Sequence, residues 1–163
     1  MIYLEQQLAT LPEPYIVMGV GIPGSGKSTA LEVVAQHLEI ARICPDDIRE
    51  EMTGSAADQS VNAEAWAEAY RRVAVSLQLG HSAIIDGTHT EAWRRPKQVA
   101  QYREHGAAAV AAVVFDTPLA VAKRRNLSRE RVVPEYALDK LHTALQKEPV
   151  SHKEGFDAIY VLR

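Results

Sequence analysis

Cysteine is nearly absent from this chain: Cys44 is the only one in 163 residues. No internal disulfide can form, which suits a reducing compartment. Net charge is small as well, with 18 Lys and Arg against 21 Asp and Glu for a balance of -3. No global basic field therefore draws the molecule to nucleic acid or to a membrane surface. Long apolar runs are missing too. The longest, "AAAVAAVVF" from Ala107 to Phe115, falls far short of the roughly 20 residues that cross a bilayer. The opening "MIYLEQQLATLPEPY" has no basic segment leading into an apolar one, so no secretory signal is expected. Internal repeats and low-complexity tracts are also lacking. The expectation is a soluble, cytoplasmic chain with no membrane partner. Its length suits one domain over residues 1–163, with 1–14 as a lead-in marked by Pro12 and Pro14.

What is present is ordinary globular composition, 47% hydrophobic and 24% charged. Short apolar runs occupy Tyr15–Val20, Ala41–Cys44, Ser82–Asp86, Ala108–Phe115 and Ala158–Leu162. Between them lie stretches rich in Ala, Glu, Gln and Arg, all good helix formers: Lys27–Leu38, Ala63–Leu79, Glu91–His105, Leu119–Asn126 and Pro134–Lys147. Continuous apolar strands alternating with helices predict an α/β fold, a parallel sheet of about five strands covered on both faces.

The most specific stretch is "GIPGSGKST". Gly21, Gly26, Lys27 and Ser28 satisfy G-x-x-x-x-G-K-[ST], the phosphate-binding P-loop. Glycines let backbone N–H groups converge on an anion, and the helix opening near Lys27 aims its positive end at it. Lys27 adds a full charge for the β- and γ-phosphates, and the Ser28 hydroxyl is placed for Mg²⁺. The expected phosphate-binding set is Gly21, Pro23, Gly24, Ser25, Gly26, Lys27, Ser28 and Thr29, around a nucleoside triphosphate.

A P-loop does not by itself name the acceptor of the phosphoryl group. "ICPDDIRE" places Asp46, Asp47 and Arg49 after the second strand, at the sheet edge where open α/β folds bind ligands. A carboxylate there can take the proton of an attacking hydroxyl. One of Asp46 and Asp47 is expected to cap a helix, leaving Asp46 as the candidate base and Arg49 for an acceptor phosphate. Asp86 ends the third strand, where it can hold Mg²⁺ directly or through water, or orient Arg49. Thr88 and His89 follow it, His89 reading as a partly exposed loop residue. The segment "KRRNLSRER" carries Lys123, Arg124, Arg125, Arg129 and Arg131 against Glu130. Arg125 and Arg129 form the candidate lid pair, with the other three facing solvent. The Ala63–Leu79 helix, with Trp66, Tyr70, Arg71 and Arg72, could border an acceptor cleft, but aromatic residues at helical spacing are more often core.

Taken together, "GIPGSGKST", "PDDIRE", "DGTH", "FDTPLAVAKRRNLSR" with "VVP", and "EGFD" resemble the 5′-kinase domain of bacteriophage polynucleotide kinase and its P-loop relatives. The resemblance runs from about Val17 to Asp157. It implies ATP as donor and Mg²⁺ as cofactor. It also implies Asp46 as general base, Arg49 on the acceptor phosphate, Asp86 supporting that arginine, and lid arginines at Arg125 and Arg129. The family's D-T-N reads D-G-T-H here, leaving Thr88 as the acceptor contact. The implied acceptor is a 5′-hydroxyl end of a polynucleotide. The alternative is a small-metabolite kinase of the same architecture, favoured by the absence of a basic track. A nucleotide switch is disfavoured, since no N-K-x-D guanine motif is present.

Overall fold

Each of the five apolar runs is a strand in the computed structural model, which describes residues 2–163, the side chain of Ile2 excepted. The strands are β1 (Tyr15–Val20), β2 (Ala41–Ile43), β3 (Ala83–Asp86), β4 (Ala109–Phe115) and β5 (Ala158–Leu162). They form one parallel sheet in the order β2-β3-β1-β4-β5. β1 and β3 are buried along their whole length, which is why they are apolar on both faces. β5 lies at the edge and is only half-buried.

Because side chains alternate along a strand, β1 feeds two cores. Ile16, Met18 and Val20 enter one, with Ala65, Ala69, Val73 and Leu77 of α4 (Asn62–Gln78) and with Val99 and Tyr102 of α5 (Arg95–Glu104). Tyr15 and Val17 enter the other, with Leu4 and Leu8 of α1 (Ile2–Leu8) and with Leu31, Val34 and Ala35 of α2 (Lys27–Leu38). The four-residue spacing from Ala65 to Leu77 is one helical stripe, and its alanines let α4 approach the sheet closely. α3 (Pro45–Thr53) contributes Ile48 to the first core. α6 (Leu119–Leu127) and α7 (Glu135–Lys147) pack on each other.

Three boundaries differ from those expected. The lead-in contains α1, which is too short for a helical period to stand out; two buried leucines hold it. α5 begins at Arg95 rather than Glu91, with Pro96 in its first turn, where a missing N–H costs nothing. Pro45 likewise opens α3, so Cys44 is the N-cap, and neither Asp46 nor Asp47 caps the helix. Both aspartates sit in the first turn instead, where negative charge complements the helix dipole.

Candidate active site

The chain passes from β1 through Gly21–Gly26 into α2, and the loop is held from two sides. The Gly21 N–H donates to the Thr88 carbonyl at 3.0 Å, and the Thr117 hydroxyl donates to the Ser25 carbonyl at 3.0 Å. Gly24 and Gly26 have φ of 83° and 86°, a left-handed backbone that side chains resist. At Gly24 a Cβ would also collide with the Ala122 carbonyl of α6. Sequence and packing therefore both require glycine there.

This loop lines a cavity of about 460 Å³ that extends across the carboxyl ends of β1, β2 and β3. Pro23, Gly24, Ser25, Gly26, Lys27, Ser28 and Thr29 form one wall, and Gly21 lies buried behind them. Asp46, Arg49, Asp86 and Thr88 line it from the sheet edge, and Arg125, Arg129 and Arg131 from the lid segment. Residues as distant in the chain as Ile22 and Leu141 thus meet around one space. Two of its buried polar atoms, Ser25 Oγ and Arg129 Nη1, have no protein partner. Orphaned buried donors are costly, and an entering polyphosphate would satisfy both. The residues present fit a nucleotide triphosphate.

Asp86 is the electrostatic centre. Lys27 Nζ lies 2.6 Å from its Oδ1, and Arg42 reaches its Oδ2 through Nε at 3.0 Å and Nη2 at 2.8 Å. Burial would push this carboxyl up, but Lys27, Arg42 and the Ser28 hydroxyl outweigh it and hold it below the usual range. The expected support of Arg49 by Asp86 is not found. Arg42 on the neighbouring strand β2 takes that place, being in register with Ile84 of β3. Arg49 lies one turn into α3 and turns toward α4 instead. It donates to the Ala56 carbonyl at 3.0 Å and to Asn62 Oδ1 at 2.7 Å, and it pairs with Asp46 Oδ1. The other oxygen, Asp46 Oδ2, is 3.5 Å from Arg131 Nη1. Both carboxylate oxygens of Asp46 thus face arginines.

Two residues are not where the sequence put them. His89 is 7% exposed rather than a surface loop residue. Its Nδ1 lies 2.6 Å from the Gly19 carbonyl, and burial drops its pKa to about 4. Arg131 is half-buried against Asp46 instead of facing solvent; nothing in its sequence neighbourhood distinguishes it from Arg124, which is exposed. Trp66 and Tyr70 pack against the first core, as expected, and being half-buried they also line open space. Arg42 went unnoticed because a lone arginine in a three-residue strand carries no signal.

A Mg²⁺ ion needs few protein ligands, since it keeps waters and phosphate oxygens. The exposed Ser28 hydroxyl and the Asp86 carboxylate are the residues that could hold one. Among the described residues no group of three or more His, Cys, Asp or Glu is placed to hold a metal ion.

The AAA_33 family, described as an AAA domain, matches residues 16–148. The chain belongs to that family. It is a P-loop kinase-type domain by fold. Among solved structures, the Pnkp1/Rnl/Hen1 RNA repair complex contains a chain 26% identical to this one, with a TM-score of 0.74. The match covers 93% of this chain and 49% of that one, so this chain spans about half its length. A gluconokinase from Sinorhizobium meliloti 1021 is 18% identical, with a TM-score of 0.59 and coverage of 93% and 82%. A shikimate kinase from Bacteroides thetaiotaomicron is 16% identical, with a TM-score of 0.58 and coverage of 90% and 86%. These two carry the fold alone. No curated protein sequence matches. Among the described residues no helix is long and apolar enough to cross a membrane.

Proposed function

We propose that this chain, as one kinase domain over residues 1–163, transfers the γ-phosphoryl group of ATP to the 5′-hydroxyl end of a polynucleotide. The observation that carries the reading is that Asp46 shares a cavity with the P-loop and is paired there with the buried Arg49. A base and an anion-binding guanidinium side by side suit an acceptor that bears a phosphate next to its hydroxyl. The 26% identity to a chain of an RNA repair complex supports a polynucleotide end as that acceptor.

Asp46 removes the proton from the acceptor hydroxyl. The freed oxygen attacks the γ-phosphorus as the bond to the ADP oxygen breaks, and ADP leaves with those electrons. Arg49 moves from Asp46 to the acceptor phosphate, which releases the carboxylate for its task. Lys27 leaves Asp86 for the β- and γ-phosphates, while Arg42 keeps Asp86 compensated. Arg125 and Arg129 close over the transferring group and stabilise its charge. Ser28 and Asp86 would hold Mg²⁺, whose contribution is to neutralise phosphate charge. The buried thiol of Cys44, pushed up to about 11 by its surroundings, burial foremost, stays out of the chemistry.

The rival is transfer to a small metabolite, favoured by the similar length of the gluconokinase and shikimate kinase chains. Labelled ATP offered with 5′-hydroxyl oligonucleotides and with a panel of hydroxylated metabolites separates the two. Asp46→Asn serves as the control. Label on oligonucleotide, lost in the variant, is the expected outcome. Label on metabolites alone removes the polynucleotide reading.

A further inference from the structure

Both tryptophans of the chain line one cavity. It measures about 570 Å³ and adjoins the nucleotide cavity, with Asn62, Trp66, Thr88 and Leu141 common to the two. Trp66 and Tyr70 of α4, with ring centroids 5.7 Å apart, form one aromatic wall. Trp93, in the turn before α5, contributes another and is 59% exposed. The Arg94 guanidinium and the Lys97 ammonium lie 4.8 Å and 5.0 Å from its ring centroid. Arg94 is paired with Glu91, whereas Lys97 has no ion pair among the described residues.

Two buried residues of the lining have a polar atom without a partner, Gln98 Oε1 and His89 Nε2. Gln98 uses its Nε2 on the Tyr70 hydroxyl at 2.8 Å. The His89 Nδ1 faces a carbonyl, which only accepts, so Nδ1 carries the hydrogen and Nε2 the lone pair. Both orphan atoms are therefore acceptors, and a ligand that satisfies them brings donors. Residue 87 is fitted to this arrangement: a Cβ on Gly87 would stand 2.8 Å from Trp66 Cη2 and 3.0 Å from His89 Cε1.

We propose that this cavity is a second-nucleotide subsite, holding the base and phosphate of the nucleotide that follows the acceptor's 5′-terminal residue in a single strand. The aromatic walls stack a flat base, an interaction indifferent to sequence. Lys97 and Arg94 meet its phosphate, and the ring N–H or amino group that every base carries on its edge matches the two orphan acceptors. The subsite rests on the polynucleotide reading above and resolves an objection to it. A chain with a net charge of -3 needs no basic track if it grips one neighbouring nucleotide by stacking.

Because Trp66 and Trp93 are the only tryptophans, their emission reports on this cavity. Emission is titrated with 5′-hydroxyl mono-, di- and hexanucleotides, each ending in a 3′-phosphate, and the same acceptors are offered with labelled ATP. The dinucleotide is expected to quench emission and to bind at least about tenfold more tightly than the mononucleotide, with little gain at six. Trp93→Ala removes that step, Trp93→Phe keeps part of it, and Lys97→Gln weakens its salt dependence. Trp93 is exposed, so these variants fold. Equal affinity for mono- and dinucleotide, or a step unchanged in Trp93→Ala, overturns the subsite. Tight, Trp93-dependent binding of the dinucleotide without transfer overturns the polynucleotide-kinase reading and leaves the subsite standing. Transfer that is independent of length does the reverse.

Discussion

The donor end of the cavity is built mainly from backbone, and the acceptor end almost wholly from side chains. At the donor end, residues 21–29 are contiguous, two glycines adopt positive φ, and the loop is pinned by the Thr88 carbonyl, which accepts from the Gly21 N–H, and by the Thr117 hydroxyl, which donates to the Ser25 carbonyl. Its charge network of Lys27, Asp86 and Arg42 is buried or nearly so. At the acceptor end, Asp46, Arg49, Asn62, Trp66 and Arg131 come from three separate segments, and Asp46 is substantially exposed. The difference is physical. Phosphate can be held by main-chain N–H groups that any sequence supplies once glycine permits the turn. An acceptor must be told from its rivals, and that takes particular side chains.

Removing the lid charge should do most damage. Arg129→Ala is expected to lower kcat by about 10³–10⁵-fold, measured by transfer of labelled phosphate at saturating ATP; a tenfold loss or less would assign Arg129 to the surface. Next comes Asp46→Asn, at about 10²–10⁴-fold in transfer, with nucleotide binding retained. Loss of nucleotide binding in that variant would merge the two ends that the structure keeps apart. The third test is a pH dependence located between them. His89 has a folded pKa of about 4 against an unfolded value near 6.5. The unfolded chain therefore binds more protons below pH 6.5, so stability present above that pH is lost as pH falls toward 4. The loss is roughly 3 kcal/mol. Urea unfolding at pH 7 and pH 4.5 should show it, and His89→Gln should flatten the difference; equal slopes in both proteins would refute the assignment. Smallest is Gly24→Ala, expected to cost about 1–3 kcal/mol through its positive φ and to weaken nucleotide binding. Thermal unfolding with and without nucleotide measures both, and an unchanged midpoint would mean that the loop relaxes freely around Ala122.

The elements were legible because each strand is a short apolar run bounded by turn residues, and because the helical stripes are long. α1 was hidden by its brevity; Leu4 and Leu8 are buried anchors that a seven-residue stretch does not show as a period. Within the site, the loop from Gly21 to Thr29 could be read directly, since its function lies in local spacing. Arg42 could not be, because its importance comes from the register of β2 on β3, which brings it to Asp86. His89 looked like a loop residue and is buried, held by a carbonyl 70 positions earlier in the chain.

By itself the sequence determined the phosphate loop, the strand–helix alternation and hence a parallel sheet, because these depend on neighbours within one turn or one strand. Only the tertiary structure decided which arginine compensates Asp86, which ones face Asp46, and that two tryptophans share a cavity beside the P-loop. Those outcomes turn on side chains meeting across the sheet edge, where long-range packing rather than local spacing sets the distances.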